Sequence, residues 1–129
     1  MTANSDEYVA YIMERLQPLG RVSSGRFFGG TGLSIDGVQF GMLMGNTLYL
    51  ATNDDLRGAL EKLGGRPFSY STKNGTVTVK KYCEVPGEVV EDEEQLRFFA
   101  LRSINAARNR TAPAQRVAAA RSTSRRRSR

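Results

Sequence analysis

The stretch Arg26-Phe27-Phe28-Gly29-Gly30-Thr31-Gly32-Leu33-Ser34-Ile35-Asp36-Gly37-Val38-Gln39-Phe40-Gly41, followed by Leu48-Tyr49-Leu50, plants aromatic and aliphatic residues among glycines. It reads as strands joined by sharp turns. Leu33 and Ile35 alternate around Ser34. Val38, Phe40, Met42 and Met44 alternate with Gln39, Gly41 and Leu43, and Leu48 and Leu50 flank Tyr49; alternation of this kind is the period of a strand with one buried face. Asp36-Gly37 and Gly45-Asn46 are two-residue links of the sort that close hairpins, because they tolerate the positive φ that primed turns demand. A three-stranded antiparallel meander follows from that pattern.

Helical signals lie on either side. Val9, Ile12, Met13 and Leu16 recur at helical spacing behind Asp6 and Glu7, and Pro18 and Gly20 stop the run, so residues 5–16 are expected to form a helix. Thr52 or Asn53 should cap a second helix carrying Leu56, Ala59, Leu60 and Leu63, which Gly64-Gly65 ends with a left-handed cap. Phe68 and Tyr70 alternate, Asn74-Gly75 reads as a turn, and Val77 and Val79 complete a second hairpin. Val85-Pro86-Gly87 breaks it, and the acids at 91–94 open a last helix with Leu96, Phe99, Ala100 and Ile104 on one face. The expected order is α-β3-α-β2-α, an α+β fold with helices packed on a five-stranded antiparallel sheet.

The charge divides the chain. Up to Ala107 there are 11 Lys and Arg against 13 Asp and Glu, whereas Arg108, Arg110, Arg116, Arg121, Arg125, Arg126, Arg127 and Arg129 stand in a tail without an acid. The division expected is therefore a folded domain over residues 1–107 and a disordered basic tail over residues 108–129, which holds too little apolar surface to offset ordering. Those eight arginines are the candidates for nucleic-acid contact: they could neutralise phosphates, but with no aromatic among them they offer no base stacking. A solubilising extension, or one folded back onto residues 91–94, is the plainer reading. A single Cys83, a polar and acidic N-terminus, and no apolar run near the roughly 18 residues of a membrane span point to a reducing, cytoplasmic setting.

Five motifs in order carry a resemblance: Phe28-Gly29-Gly30-Thr31-Gly32-Leu33, Phe40-Gly41, Leu48-Tyr49-Leu50, Pro67-Phe68-Ser69-Tyr70 and Tyr82-Cys83-Glu84-Val85-Pro86. Together they resemble the N-terminal domain of the TfoX/Sxy proteins, regulators of natural competence in bacteria, over about residues 8–106. The chain departs from that pattern at Phe27, where Met is usual, and in having no Trp in the last helix. A single-domain member is expected, with the basic tail where full-length regulators carry a second domain. The resemblance implies a secretion-chaperone-like α+β fold and a transcription or competence co-regulator working through a protein partner, the cyclic-AMP receptor protein or the transcription machinery. It brings no catalytic residues and no cofactor. The alternative reading is a chaperone-like peptide- or protein-binding module with no role in transcription.

The residues themselves give catalysis little to work with. The chain has no His, the commonest general base near neutral pH. The acids at Asp54-Asp55 and at 91–94 open helices, where they complement the macrodipole. Cys83 reads as a half-buried structural thiol beside Lys81, and one Cys without His is a poor metal site. The Gly29-Gly30-Thr31-Gly32 run leads into a strand rather than a helix and lacks the Lys-Ser/Thr of a phosphate loop, so its glycines are expected to serve bulges and close packing beneath an aromatic. No catalytic, cofactor or metal residue is therefore assigned. Arg26, Phe27, Phe28, Tyr49 and Tyr82 are candidates for protein recognition, since aromatics with Arg anchor interfaces. Phe28 is expected in the core; Arg26, Phe27, Tyr49 and Tyr82 remain as surface candidates.

Overall fold

The computed structural model describes residues 4–119. Its elements run α1 (Asp6–Leu16), a 3-10 turn (Gln17–Leu19), β1 (Val22–Phe27), β2 (Gly30–Ile35), β3 (Val38–Leu43), β4 (Leu48–Ala51), α2 (Asp54–Lys62), β5 (Pro67–Thr72), β6 (Gly75–Glu84), α3 (Gly87–Glu91) and α4 (Glu93–Ala119). The α+β class is as expected, with six strands rather than five. They form one antiparallel sheet in the order β1-β2-β3-β4-β6-β5. The additional strand is β1, an edge strand exposed along most of its length and held by its ladder to β2.

Local chemistry accounts for the elements. The Ser5 hydroxyl accepts the Tyr8 N–H and caps α1, and the Asn53 side chain accepts the Leu56 N–H and caps α2. At the end of α2, Gly64 takes φ +105°, the Gly65 N–H reaches the Leu60 carbonyl at 2.9 Å and the Gly64 N–H reaches that of Glu61 at 3.0 Å. That pair of bonds is a Schellman motif, which satisfies two otherwise orphaned carbonyls. The first four strands are joined by three tight turns in succession, each with both central residues at positive φ: Phe28-Gly29, Asp36-Gly37 and Gly45-Asn46. Positive φ at both positions matches the right-handed twist of the strands they join.

Two details differ from the sequence expectation in this part of the chain. The β5–β6 turn falls at Lys73-Asn74, with Gly75 (φ +118°) already opposite Thr72. The last helical region is broken in two at Asp92, whose extended backbone ends α3. The Asp92 carboxylate accepts the Glu94 and Gln95 N–H groups and the Gln95 side-chain amide, so it caps α4 and is held below the usual carboxylate range, the Gln95 side chain being the largest cause.

One face of the sheet meets the helices. Ile12 and Leu16 from α1, Leu56 and Leu60 from α2, and Leu96, Phe99, Ala100 and Ile104 from α4 pack on Leu33, Leu43, Leu48, Leu50 and Cys83. α4 is also tied to the sheet through a bulge. Leu33 pairs with Gly41 and Ser34 with Gln39, leaving Phe40 as the additional residue. Its carbonyl oxygen accepts a 2.7 Å hydrogen bond from the fully buried Ser103 hydroxyl. A bulge frees a backbone group from the ladder, and a buried one needs another partner.

Beyond Ala107, where the apolar stripe ends, α4 continues to Ala119.

Replacing Ser103 by Ala removes the donor and leaves the Phe40 carbonyl buried and unpaired. Urea unfolding should show a loss of about 1–3 kcal/mol, whereas an unchanged midpoint would mean that the bulge is satisfied another way.

Candidate protein-recognition groove

Among the described residues, no helix covers the opposite face of the sheet. Met42 lies in register between Gly32 on β2 and Tyr49 on β4, so its side chain stands on that face. Met42 and Met44 are nonetheless almost closed off from solvent, at 2% and 6% exposed. Aromatic side chains from two hairpins cover them, and between those hairpins runs an apolar groove of about 470 Å³. Met42, Met44 and Tyr82 form its floor, Phe27 and Phe28 one wall, and Phe68, Tyr70 and Val79 the other; none of these eight carries a charge.

The first wall depends on glycine. Phe27 pairs with Gly30 across the β1–β2 ladder. A Cβ on Gly30 would strike the Leu43 carbonyl and come within 2.5 Å of the Met44 sulfur. A Cβ on Gly32 would come within 2.9 Å of the Gln39 Oε1 and 3.3 Å of the Phe27 Cβ. The glycines thus let a methionine and an aromatic lie directly on the sheet, as the sequence suggested, and nothing about them requires a phosphate.

The second wall is an arm. Pro67 pairs with Cys83, but the next pair is Phe68 with Val79, so residues 80–82 of β6 have no partner on β5. There β6 changes neighbour, Tyr82 pairing with Ala51 of β4. Thr52 holds the change of partner: its N–H donates to the Lys81 carbonyl at 2.6 Å, and its buried hydroxyl lies 3.2 Å from the carbonyls of Lys80 and Lys81. Past this point the hairpin leaves the sheet, and residues 69–78 are all exposed. The pairs Phe68–Val79 and Tyr70–Val77 put four apolar side chains on one face of the arm, while Ser69–Thr78 and Ser71–Thr76 put hydroxyls on the other.

Three of the four surface candidates meet here. Phe27 stands in the wall with its ring 4.7 Å from that of Phe28. Tyr82 lies in the floor and accepts a hydrogen bond from Gln39 Nε2 at 3.2 Å, while burial raises its hydroxyl pKa. Tyr49 stands behind the second wall with its ring edge-on to Phe68 at 5.1 Å, its hydroxyl pKa likewise raised by burial. Arg26 is exposed but sits one residue out of phase with Phe27, opposite Thr31, and so faces away from the groove. Phe28 corrects the expectation of a core residue: it is 84% exposed and sits at the tip of the β1–β2 turn with φ +48°. The sequence reading did not single out Met42, Met44, Phe68, Tyr70 or Val79 as recognition residues; Pro67-Phe68-Ser69-Tyr70 alone carried a signal, as a motif.

The other candidates lie elsewhere. Cys83 is fully buried rather than half-buried, and burial, with help from Glu61 and Glu84, pushes its thiol up to about 11, so it is a thiol and not a thiolate at neutral pH. Arg108 bridges Asp36 at 3.1 Å, and Arg110 donates to the Thr52 carbonyl at 2.5 Å, so both arginines are attached to the body. Arg116 lies on α4, and Arg121, Arg125, Arg126, Arg127 and Arg129 lie outside the described residues. A more open hollow of about 880 Å³ between α1 and β1 is lined in part by Glu7, Glu14 and Arg21, charges that favour water over an apolar guest.

The model of one protein family, described as the TfoX N-terminal domain, matches residues 14–107. The chain matches no curated protein.

A left-handed backbone costs a residue other than glycine roughly 1–2 kcal/mol, less for Asn, and an 84% exposed ring recovers little of this by burial. Phe28→Asn creates the favoured Asn-Gly turn pair but removes the edge contact with Phe27, so two opposing effects of about 1 kcal/mol each should leave the melting temperature nearly unchanged. Thermal unfolding monitored by circular dichroism checks this, and a clear loss of stability would show that Phe28 supports the fold.

Proposed function

The chain belongs to the TfoX N-terminal domain family, and on that premise we propose that it is a non-enzymatic regulatory domain, a co-regulator of transcription or competence that acts through a protein partner held in the groove. The observation that carries this reading is Phe28. A phenylalanine on a left-handed backbone at an exposed turn tip is an uncommon arrangement, and such outliers concentrate at functional sites. Phe28 also borders an uncharged groove wide enough for several apolar side chains, and buried aromatics surrounded by apolar walls are what interface hot spots are made of.

The non-enzymatic part of the reading is supported by the absence of His from the sequence and by the raised pKa of the one cysteine. Among the described residues no three of His, Cys, Asp and Glu gather closely enough to hold a metal ion. The arginines beyond Arg110 add non-specific affinity for nucleic acid in this proposal, because clustered charge without stacking residues binds phosphate without reading sequence. A second reading, capture of an extended peptide, is favoured by one observation: β5 is an edge strand on an arm exposed on both sides, open to strand addition.

The family points to the cyclic-AMP receptor protein as the partner to try first. Titration of that purified protein with the full chain should give saturable binding that Phe28→Ala weakens by at least about 1 kcal/mol, or fivefold, with the melting curve retained. Binding indifferent to Phe28→Ala and Phe27→Ala would remove the groove from the account. No binding by the unaltered chain would remove this partner.

A further inference from the structure

The outer side of α4 carries a second surface, on the opposite side of the sheet from the groove. Leu96, Phe99, Ala100, Ser103 and Ile104 face inward and are buried. Glu94, Phe98, Leu101, Asn105 and Arg108 are exposed, at successive spacings of four, three, four and three residues. That spacing keeps them on a single stripe along the helix, the pattern by which one helix pairs with another. At the middle of the stripe Phe98 and Leu101 are 55% and 50% exposed. Its two ends differ in charge: Glu94 lies at the beginning, Arg108 at the far end.

We propose that this stripe is a homodimer interface, α4 packing antiparallel against α4 of a second copy. The stripe is complementary to itself when reversed, which is what a two-fold interface requires. In the antiparallel register centred between Phe98 and Leu101, Phe98 of each copy meets Leu101 of the other and Glu94 meets Asn105, with Arg108 one helical turn further on, within reach of Glu94. A parallel pair would set acids against acids and arginine against arginine, so charge selects the antiparallel arrangement. Arg108 is available for this although it bridges Asp36. Both side chains are largely exposed, at 46% and 77%, and a guanidinium has donors for two carboxylates. Arg102, whose guanidinium lies 5.5 Å from the centre of the Phe98 ring, shields that ring in the monomer. One helix face per copy is smaller than a standard stable interface, so the dimer is weak, with a dissociation constant of about 10–100 μM.

Sedimentation equilibrium of the full chain from 5 to 500 μM tests this. The expected result is a monomer–dimer equilibrium with a dissociation constant in that range. Asn105→Lys, which places an ammonium against Glu94 twice per dimer, should tighten association about fivefold, and Asn105→Glu should weaken it by a similar factor. Leu101→Lys, at an exposed position and so expected to leave the melting curve in place, should remove the dimer from the range. A chain monomeric at every concentration overturns the proposal. So does a dimer whose dissociation constant is unmoved by the two Asn105 substitutions, since its interface lies elsewhere.

Discussion

Among the described residues, helices cover one face of the sheet, and the other features of the molecule follow from how the second face is managed. An antiparallel sheet can leave one face to water when that face is polar. Here it carries Met42 and Met44, both nearly inaccessible. Their cover comes from Phe27 on one hairpin and Phe68 and Tyr82 on the β5–β6 pair, and it leaves a gap between the two. Such a cover needs rings lying close to the backbone, which is possible because Gly30 and Gly32 have no side chain in the way. The run of glycines and the groove are therefore one feature: the first makes room for the rings that bound the second.

Much of this was legible in the sequence where local chemistry decides the outcome. The Asn53 cap, one of the two the pattern offered, the glycine end of α2, and the Asp36-Gly37 and Gly45-Asn46 turns depend on residues near in sequence, and they stand where the pattern puts them. β1 was not legible as a strand because its apolar residues, Val22 and Phe27, stand only at its two ends and leave no apolar period to read between them. Phe28 was misplaced because a phenylalanine beside strand residues ordinarily packs inward. Only the two-residue closure of β1 onto β2 puts it at the tip of the turn. The β5–β6 turn shifted by one residue because Gly75 serves as the first residue of β6. The continuation of α4 past Ala107 has no local signal, since the apolar stripe ends there and Pro113 is a residue that ordinarily breaks a helix.

The groove was only partly legible for a different reason. Phe27, Tyr49 and Tyr82 were recognised singly, but the site arises where residues from β1, β3, β5 and β6 meet. That meeting depends on the three residues of β6 left without a β5 partner and on Thr52, whose N–H and hydroxyl reach the carbonyls of Lys80 and Lys81. No short-range pattern encodes it. With the groove on one side of the sheet and the proposed α4 pairing on the other, a dimer would present two grooves facing apart. A partner that is itself two-fold or repeated could then engage both, with the gain in avidity that linked sites provide.

The central claim is that recognition takes place on the helix-free face. Methionine supplies probes on both sides, because the chain has four: Met1, Met13, Met42 and Met44. Met13 belongs to α1 and packs against the main core, whereas Met42 and Met44 form the floor of the groove. With the methionine methyl groups labelled with carbon-13, nuclear magnetic resonance during titration with the cyclic-AMP receptor protein reports on the two sides at once. The account predicts that the Met42 and Met44 methyl signals shift or broaden as binding proceeds while that of Met13 stays in place. Saturable binding that moves Met13 and leaves Met42 and Met44 unperturbed would contradict it.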